Sequence, residues 1–469
     1  MLRISAIFLA LAAILAPASA QELDDFVNDE MRKSALPGLA WAVVDGGNLT
    51  TGAHGVVAKG TDAPVTDETR FLIGSISKSF TALAIMQLVE AGKVELDAPV
   101  SRYLPLFEER PAGDITIRQL LSHTSGFSTL QGNSAPEESE TGSDAIARRT
   151  AWYAQQTPDY LPGTRWDYSN ANYLILGRVI EAASGARYAE YIASNIFEPL
   201  GMEHSYVSGS GKEGPLAQGH VPWFGSMRAV DAERPGLGSA PQGGIVSTAG
   251  DIGRYLRMML NGEDDLLSAA GKAQMLEPAS DASPGYGLGW MLNGEEQSAY
   301  HTGLSPGFET IAAMIPSKKR GVVVLTNGGS GMGFAETVQL RYGTVALALG
   351  QPPLGDTGRG MRIVNFLLMA LAPVVLLLAI AWAWVKRDAL RAKRTSRGGQ
   401  FSLWLPLFAM AAVGWVCVSM IPALFGVSLS TLRLYQPDMA LLLQATAVLG
   451  VVWAVARLGI AYSSRSARE

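Results

Sequence analysis

The chain has 469 residues, a formal net charge of −5 and one cysteine, Cys417. A balance this mild, with no basic cluster before residue 350, argues against nucleic acid as a partner, and a single cysteine rules out a disulfide framework. The first 350 residues are enough to bury a full core as one or two domains, while the remainder is apolar in long runs.

Residues 1–20 read as a secretory signal: Arg3, an apolar run from residue 4 to 15, and Ala18-Ser19-Ala20 ahead of Gln21. The run is too short to span a bilayer, and no cysteine follows it to carry a lipid anchor. Residues 21–350 are therefore expected to be exported and to fold without disulfides. Within them, 39–45 and 49–57, separated by Gly46-Gly47, predict a β-hairpin packed on both faces.

Residues 80–91 are apolar nearly all round, which predicts a helix buried in a core and closed by Gly92. At its mouth stands Ser75-Ile76-Ser77-Lys78. Three residues are just under one turn, so the Lys78 amine can reach the Ser75 hydroxyl. Burial and the positive end of the helix dipole both disfavour an ammonium there, and a partly neutral lysine can activate a serine nucleophile without a histidine. An ordinary helix cap beside a solvated lysine fits the same four residues, and context decides between the two. Lys78 is the one lysine in the chain with a serine three positions before it.

Helical patterns follow at 116–121, 171–183, 188–197 and 248–260, and residues 95–235 are predicted to form a helical insertion. The acidic, serine-rich stretch 133–143 predicts a mobile loop. A second strand cluster is predicted at 286–292, 300–303, 308–316 and 321–327, set apart by Gly, Pro and Lys-Lys-Arg turns. Early and late strands together predict one antiparallel sheet interrupted by helices, with a cleft at the junction.

Two further motifs fall at these borders. Trp166-Asp167-Tyr168-Ser169-Asn170 precedes a helix, with the one Tyr-x-Asn of the chain, and His301-Thr302-Gly303 lies on a late strand. Taken singly, Tyr168 also fits a tyrosine packed at a helix start and His301 a histidine on a half-exposed strand. In the order Ser-x-x-Lys, Tyr-x-Asn, His-x-Gly, accident is a poor explanation.

That order, with Phe71-Leu72-Ile73-Gly74 before the serine and Leu120-Leu121-Ser122-His123-Thr124-Ser125-Gly126 between the first two motifs, resembles the class C β-lactamase and soluble DD-carboxypeptidase family over about residues 25–348. The resemblance implies the penicillin-recognising fold: an α/β part, with an antiparallel sheet flanked by helices, beside an all-α lobe. It implies Ser75 as the acylated nucleophile, Lys78 and Tyr168 as the pair that exchanges its proton, and Asn170 as the group that orients the lysine and contacts the substrate amide. It also implies an oxyanion hole from the backbone N–H groups of Ser75 and of Leu304, the residue after Gly303. A leucine at 304 is unusual for the family, but the contribution is from backbone. His301 stands where class C β-lactamases carry lysine and many peptidases and esterases of the family carry histidine. In the same family, His123 and Ser125 belong to scaffold around the cleft, and Asp167 reads as a loop carboxylate. No metal-ligand spacing occurs, so neither metal nor cofactor is expected.

The last third differs in kind. Residues 363–385, 403–427 and 439–458 are long enough and apolar enough to cross a membrane, after a Pro- and Gly-containing linker at 351–362. The loop 386–400 carries Lys386, Arg387, Arg391, Lys393, Arg394 and Arg397, whereas the second connection offers only Arg433, so the first loop is predicted to be cytoplasmic and residues 21–360 to lie outside. An exported domain of this family followed by three spans is similar in layout to prodrug-activating peptidases of nonribosomal peptide pathways. The expected protein is a serine hydrolase of a bacterial inner membrane, facing the periplasm and acting through an acyl-serine. Its partner is a small-molecule or peptide substrate, an amide containing a D-amino acid or an ester. A prodrug-activating N-acyl-D-amino-acid peptidase, a carboxyl esterase, a weak β-lactamase and a β-lactam sensor without turnover are the alternatives. Against the sensor, the cytoplasmic parts leave no room for an output domain.

Overall fold

Six strands make the central antiparallel sheet: β1 (Gly38–Asp45), β2 (Asn48–Gly55), β3 (Met291–Asn293), β4 (Ser298–Ser305), β5 (Phe308–Ile315) and β6 (Arg320–Thr326), in the order β2-β1-β6-β5-β4-β3. The computed structural model describes residues 20–463 apart from 136–140, 213, 231–234, 332–336, 353 and 356. All of the proposed signal segment 1–20 except Ala20, which opens the first helix, and the middle of the 133–143 loop lie outside the described residues. The early hairpin joins the late cluster through β1 and β6, which pair with Trp41 opposite Val324.

Alternation along the strands feeds two cores, because successive side chains point to opposite faces. Leu39, Trp41, Ile311, Ala313, Val322 and Val324 pack with α1 (Ala20–Ser34) and α5 (Val338–Leu349) on one face. Ala40, Ala42, Val44, Ala312, Val323 and Leu325 join the larger core on the other face, where α4 (Ala249–Leu260) lies. Into that core runs α2 (Ser77–Glu90), buried on all sides as its composition requires, with Gly92 in the left-handed region just past its end. Behind it stands α3 (Asn170–Ser184), entered from the extended residue Ser169.

Some expectations need correction. Strand β2 is an edge strand with half-exposed residues, so only β1 of the hairpin is packed on both faces; among the described residues β2 has no sheet neighbour beyond β1. The stretch 286–292 yields a strand only at Met291–Asn293, because Tyr286 turns back to bridge Met291. The helix expected at 188–197 opens into a π-turn at Ala193–Phe197.

The chain ends in three helices long and apolar enough to cross a membrane: α6 (Arg359–Val385), α7 (Arg397–Trp415, continuing to Leu424) and α8 (Pro437–Tyr462). Each begins before the apolar run that predicts it, since polar flanking residues extend a helix at little cost. The linker is therefore shorter than 351–362, and the basic loop contains its own turn of helix at Arg387–Lys393. This bundle touches the rest of the chain. The Phe224 N–H donates to Asp438 at 3.0 Å, the Phe224 and Phe366 rings lie 6.1 Å apart, and Gly426 packs on Thr129.

Candidate active site

Ser75 sits in a short 3₁₀ turn, Gly74–Ile76, that leads into α2. Between Phe71 and Phe80 it alone is not fully buried, so the chain presents one hydroxyl to the cleft. Gly74 reaches this turn with φ of +54°, and a side chain there would meet the Leu304 N–H at 2.5 Å. A side chain at Gly303 would overlap the Ile73 carbonyl. These two glycines let β4 lie against the turn that carries the serine, and the Thr310 hydroxyl ties the two together by donating to Ile73 O at 2.8 Å.

Lys78 is fully buried on α2, and its Nζ lies 3.0 Å from Ser75 Oγ, 2.8 Å from Asn170 Oδ1 and 2.7 Å from the Gln242 carbonyl. Burial holds its pKa well below the usual lysine value. Two of these three partners fix how the amine is turned. Gln242 O can only accept, and Asn170 Oδ1 is the oxygen of an amide whose Nδ2 donates to Asn133 Oδ1 at 2.8 Å. A neutral lysine spends its two N–H bonds on these acceptors, which leaves its lone pair facing the Ser75 hydroxyl.

Tyr168 closes the other side of the serine. Its ring centroid lies 4.9 Å from Lys78 Nζ. Burial raises the phenol pKa, and the nearby Ser75 offsets only part of the rise, so Tyr168 keeps its proton in the free site. Tyr168 is therefore a proton donor, Lys78 an acceptor, and Ser75 stands between them.

Strand β4 supplies the remaining edge. Its partner β3 ends opposite Tyr300, so residues 301–305 have a free edge on that side. The two-residue turn Pro306-Gly307 makes Ser305 and Phe308 the first pair of the β4–β5 ladder, and alternation directs the Leu304 N–H to the free edge, beside Gly74 and Ser75. Thus Ser75, Lys78, Tyr168, Asn170, Gly303 and Leu304 come together. His301 lies one step further in. It is buried, its Nδ1 is 2.8 Å from Thr302 O, and its Nε2 is 3.1 Å from Tyr286 Oη. Burial first, then the nearby Lys78, push its pKa down to about 3.

The other residues weighed from sequence are structural in their contacts. His123 Nδ1 accepts from Ser169 N at 3.1 Å and from Asn172 Nδ2 at 3.0 Å, and its ring packs 4.3 Å from that of Tyr168. Ser125 Oγ donates to Asn172 Oδ1 at 2.6 Å, and Asp167 accepts from the N–H and hydroxyl of Thr129. Among the described residues no three His, Cys, Asp or Glu side chains gather where a metal could sit. Sequence reasoning missed Gln242, which acts through a carbonyl and leaves no side-chain signal. It also missed Asn133 and Tyr286, whose partners are 37 and 15 residues away.

The β-lactamase family pattern matches residues 23–343. The chain belongs to the β-lactamase family. It is 32% identical over 325 residues to penicillin-binding protein 4 of Amycolatopsis lactamdurans, covering 64% of this chain and 83% of that one. Among solved structures, the octameric penicillin-binding protein homologue from Pyrococcus abyssi superposes with a TM-score of 0.61 at 28% identity, covering 72% of this chain and 78% of that one. The D-alanine carboxypeptidase AmpC from Burkholderia cenocepacia superposes with a TM-score of 0.57 at 25% identity, covering 70% of this chain and 99% of that one. A β-lactamase-family fold thus carries, in this chain, three further apolar helices able to cross a membrane.

Proposed function

We propose that this protein is a membrane-anchored serine hydrolase that faces away from the cytoplasm and cleaves amide or ester bonds through an acyl-serine, with D-amino-acid amides as its main substrate class. The observation that carries the reading is the buried lysine whose N–H bonds are taken by Asn170 and Gln242 while Ser75 lies at its remaining position. Lys78 takes the Ser75 proton as Oγ attacks the carbonyl carbon. The Ser75 and Leu304 N–H groups receive the charge that develops on the carbonyl oxygen. Tyr168 gives its proton to the leaving nitrogen or oxygen and is reprotonated from Lys78. Water then enters, and the same groups work in reverse order to release the acid.

The D-amino-acid class rests on the relatives named for penicillin binding and for D-alanine carboxypeptidase activity. The outward orientation rests on the six basic residues, Lys386 to Arg397, between the first two apolar helices. Leu130, Trp166 and Leu304 are 55%, 40% and 51% exposed near the site, which favours an apolar acyl group and keeps the prodrug-activating peptidase reading alive beside a weak β-lactamase activity.

The test is intact-protein mass spectrometry after exposure to a penicillin, an acyl-D-Ala-D-Ala peptide, an N-acyl-D-Asn amide and a short-chain ester. The substrate class is the one that adds an acyl group and then loses it. Acylation without release by every compound supports the sensor instead, and acylation of Ser75→Ala overturns the nucleophile.

A further inference from the structure

At the end that carries the basic loop, the apolar helices close on one another. Ala383 of α6, Leu390 of the helix Arg387–Lys393, Leu403 of α7 and Ala461 of α8 form a small buried cluster. Beside it the packing stops. A groove of about 450 Å³ runs between α6 and α8, with Ile380 and Trp384 on one wall and Ala456 and Gly459 on the other. A side chain at Gly459 would meet nothing within 4 Å, so the groove is open along that helix. Where the apolar wall ends, Arg387 and Arg391 continue it. Arg391 donates from Nη1 to Asp388 Oδ1 and from Nη2 to Ser463 Oγ, both at 3.2 Å, while its Nε has no partner among the described residues. Arg387 makes no ion pair among the described residues, and its Cζ lies 5.9 Å from the centroid of the Trp384 ring.

We propose that this groove holds the headgroup of an anionic glycerophospholipid from the leaflet beside the basic loop. Its phosphodiester lies between Arg387 and Arg391 and accepts from the unpartnered Nε, and its acyl chains follow Ile380 and Ala456 into the bilayer. Charge complementarity selects the occupant. An apolar groove alone would take any acyl chain, but two guanidiniums at the level of the headgroups attract a phosphate. Asp388 is 71% exposed and occupies one nitrogen of one guanidinium, so the pair keeps an excess of positive charge. A choline lipid would set a cation of its own against the arginines, whereas a phosphatidylglycerol brings only the anion. The bound lipid bridges the first and third apolar helices where their own side chains leave a gap. This rests on the reading of α6 and α8 as membrane spans and is independent of the chemistry at Ser75.

The experiment is native mass spectrometry of the full-length protein in a nonionic detergent, titrated separately with dioleoyl phosphatidylglycerol, dioleoyl phosphatidylcholine and inorganic phosphate. One phosphatidylglycerol per chain is expected to stay bound, about tenfold tighter than the choline lipid, and phosphate alone is not retained. Arg387→Gln and Arg391→Gln should each weaken that binding roughly fivefold and the pair about thirtyfold. Arg394→Gln with Arg397→Gln removes the same charge from the loop outside the groove and should leave the affinity within about twofold. Gly459→Leu keeps every charge, fills the open side of the groove and should weaken binding about tenfold, a result that does not depend on the arginine variants. Melting curves in the same detergent show that each variant folds. Equal affinity for the two lipids, equal losses in the two arginine pairs, wild-type affinity in Gly459→Leu, or phosphate held as tightly as the lipid overturns the proposal. Protein that an alkaline carbonate wash strips from vesicles overturns the membrane spans instead.

Discussion

The side-chain amide of Asn170 donates from Nδ2 to Asn133 Oδ1 at 2.8 Å, and this bond is what turns Asn170 Oδ1 toward Lys78. Without it the amide is free to flip and present Nδ2 to an amine that needs an acceptor. Asn133→Ala is expected to lower kcat for ester hydrolysis about three- to tenfold, the worth of one hydrogen bond, with little change in KM. Asn133→Asp keeps the acceptor and should stay near the wild type. If the two variants lose the same amount, Asn133 does not orient Asn170.

Lys78 acts only when deprotonated, so kcat/KM for a neutral ester should rise with pH through its lowered pKa and then level off. Lys78→Arg, which holds its proton at every accessible pH, should lose about 10²–10⁴ in rate. The same shift affects stability. The folded pKa lies below the unfolded value of about 10.4, so between the two the unfolded chain binds the extra proton and stability rises with pH. Melting curves of the wild type and Lys78→Met from pH 7 to 10 should therefore diverge in favour of the wild type as pH rises. A constant difference would mean that Lys78 is charged in the folded protein.

Leu304 offers the site a backbone N–H and an exposed side chain. Leu304→Ala should keep kcat for a short-chain ester within about threefold, since the donor remains, whereas Leu304→Pro removes it and should cost about 10²–10³ in kcat. Single-turnover acylation separates this from a binding defect. Equal losses in the two variants would show that the side chain matters and the N–H does not.

Orientation can be read with fusions. A reporter placed after Gly360 should behave as exported and one within residues 386–400 as cytoplasmic. The reverse pattern would remove the outward-facing hydrolase from consideration.

Much of this was legible without coordinates because it is local. The buried helix after Ser75, the capped helices at Thr116 and Thr248, the β1–β2 turn and the three apolar runs all follow from residue type at short spacing. The Ser75–Lys78 contact is local too, since both residues lie within one turn. What only the tertiary structure decided depends on residues far apart in sequence. The state of Lys78 is set by Asn170 and by a carbonyl 164 residues away that belongs to no motif. By sequence alone His301 fits a half-exposed strand, yet packing buries the ring and sets its two nitrogens beside Thr302 and Tyr286. Residue type names the groups that can move a proton. Their burial and their partners decide which of them hold it, because desolvation and directed hydrogen bonds act only once distant segments have been brought together.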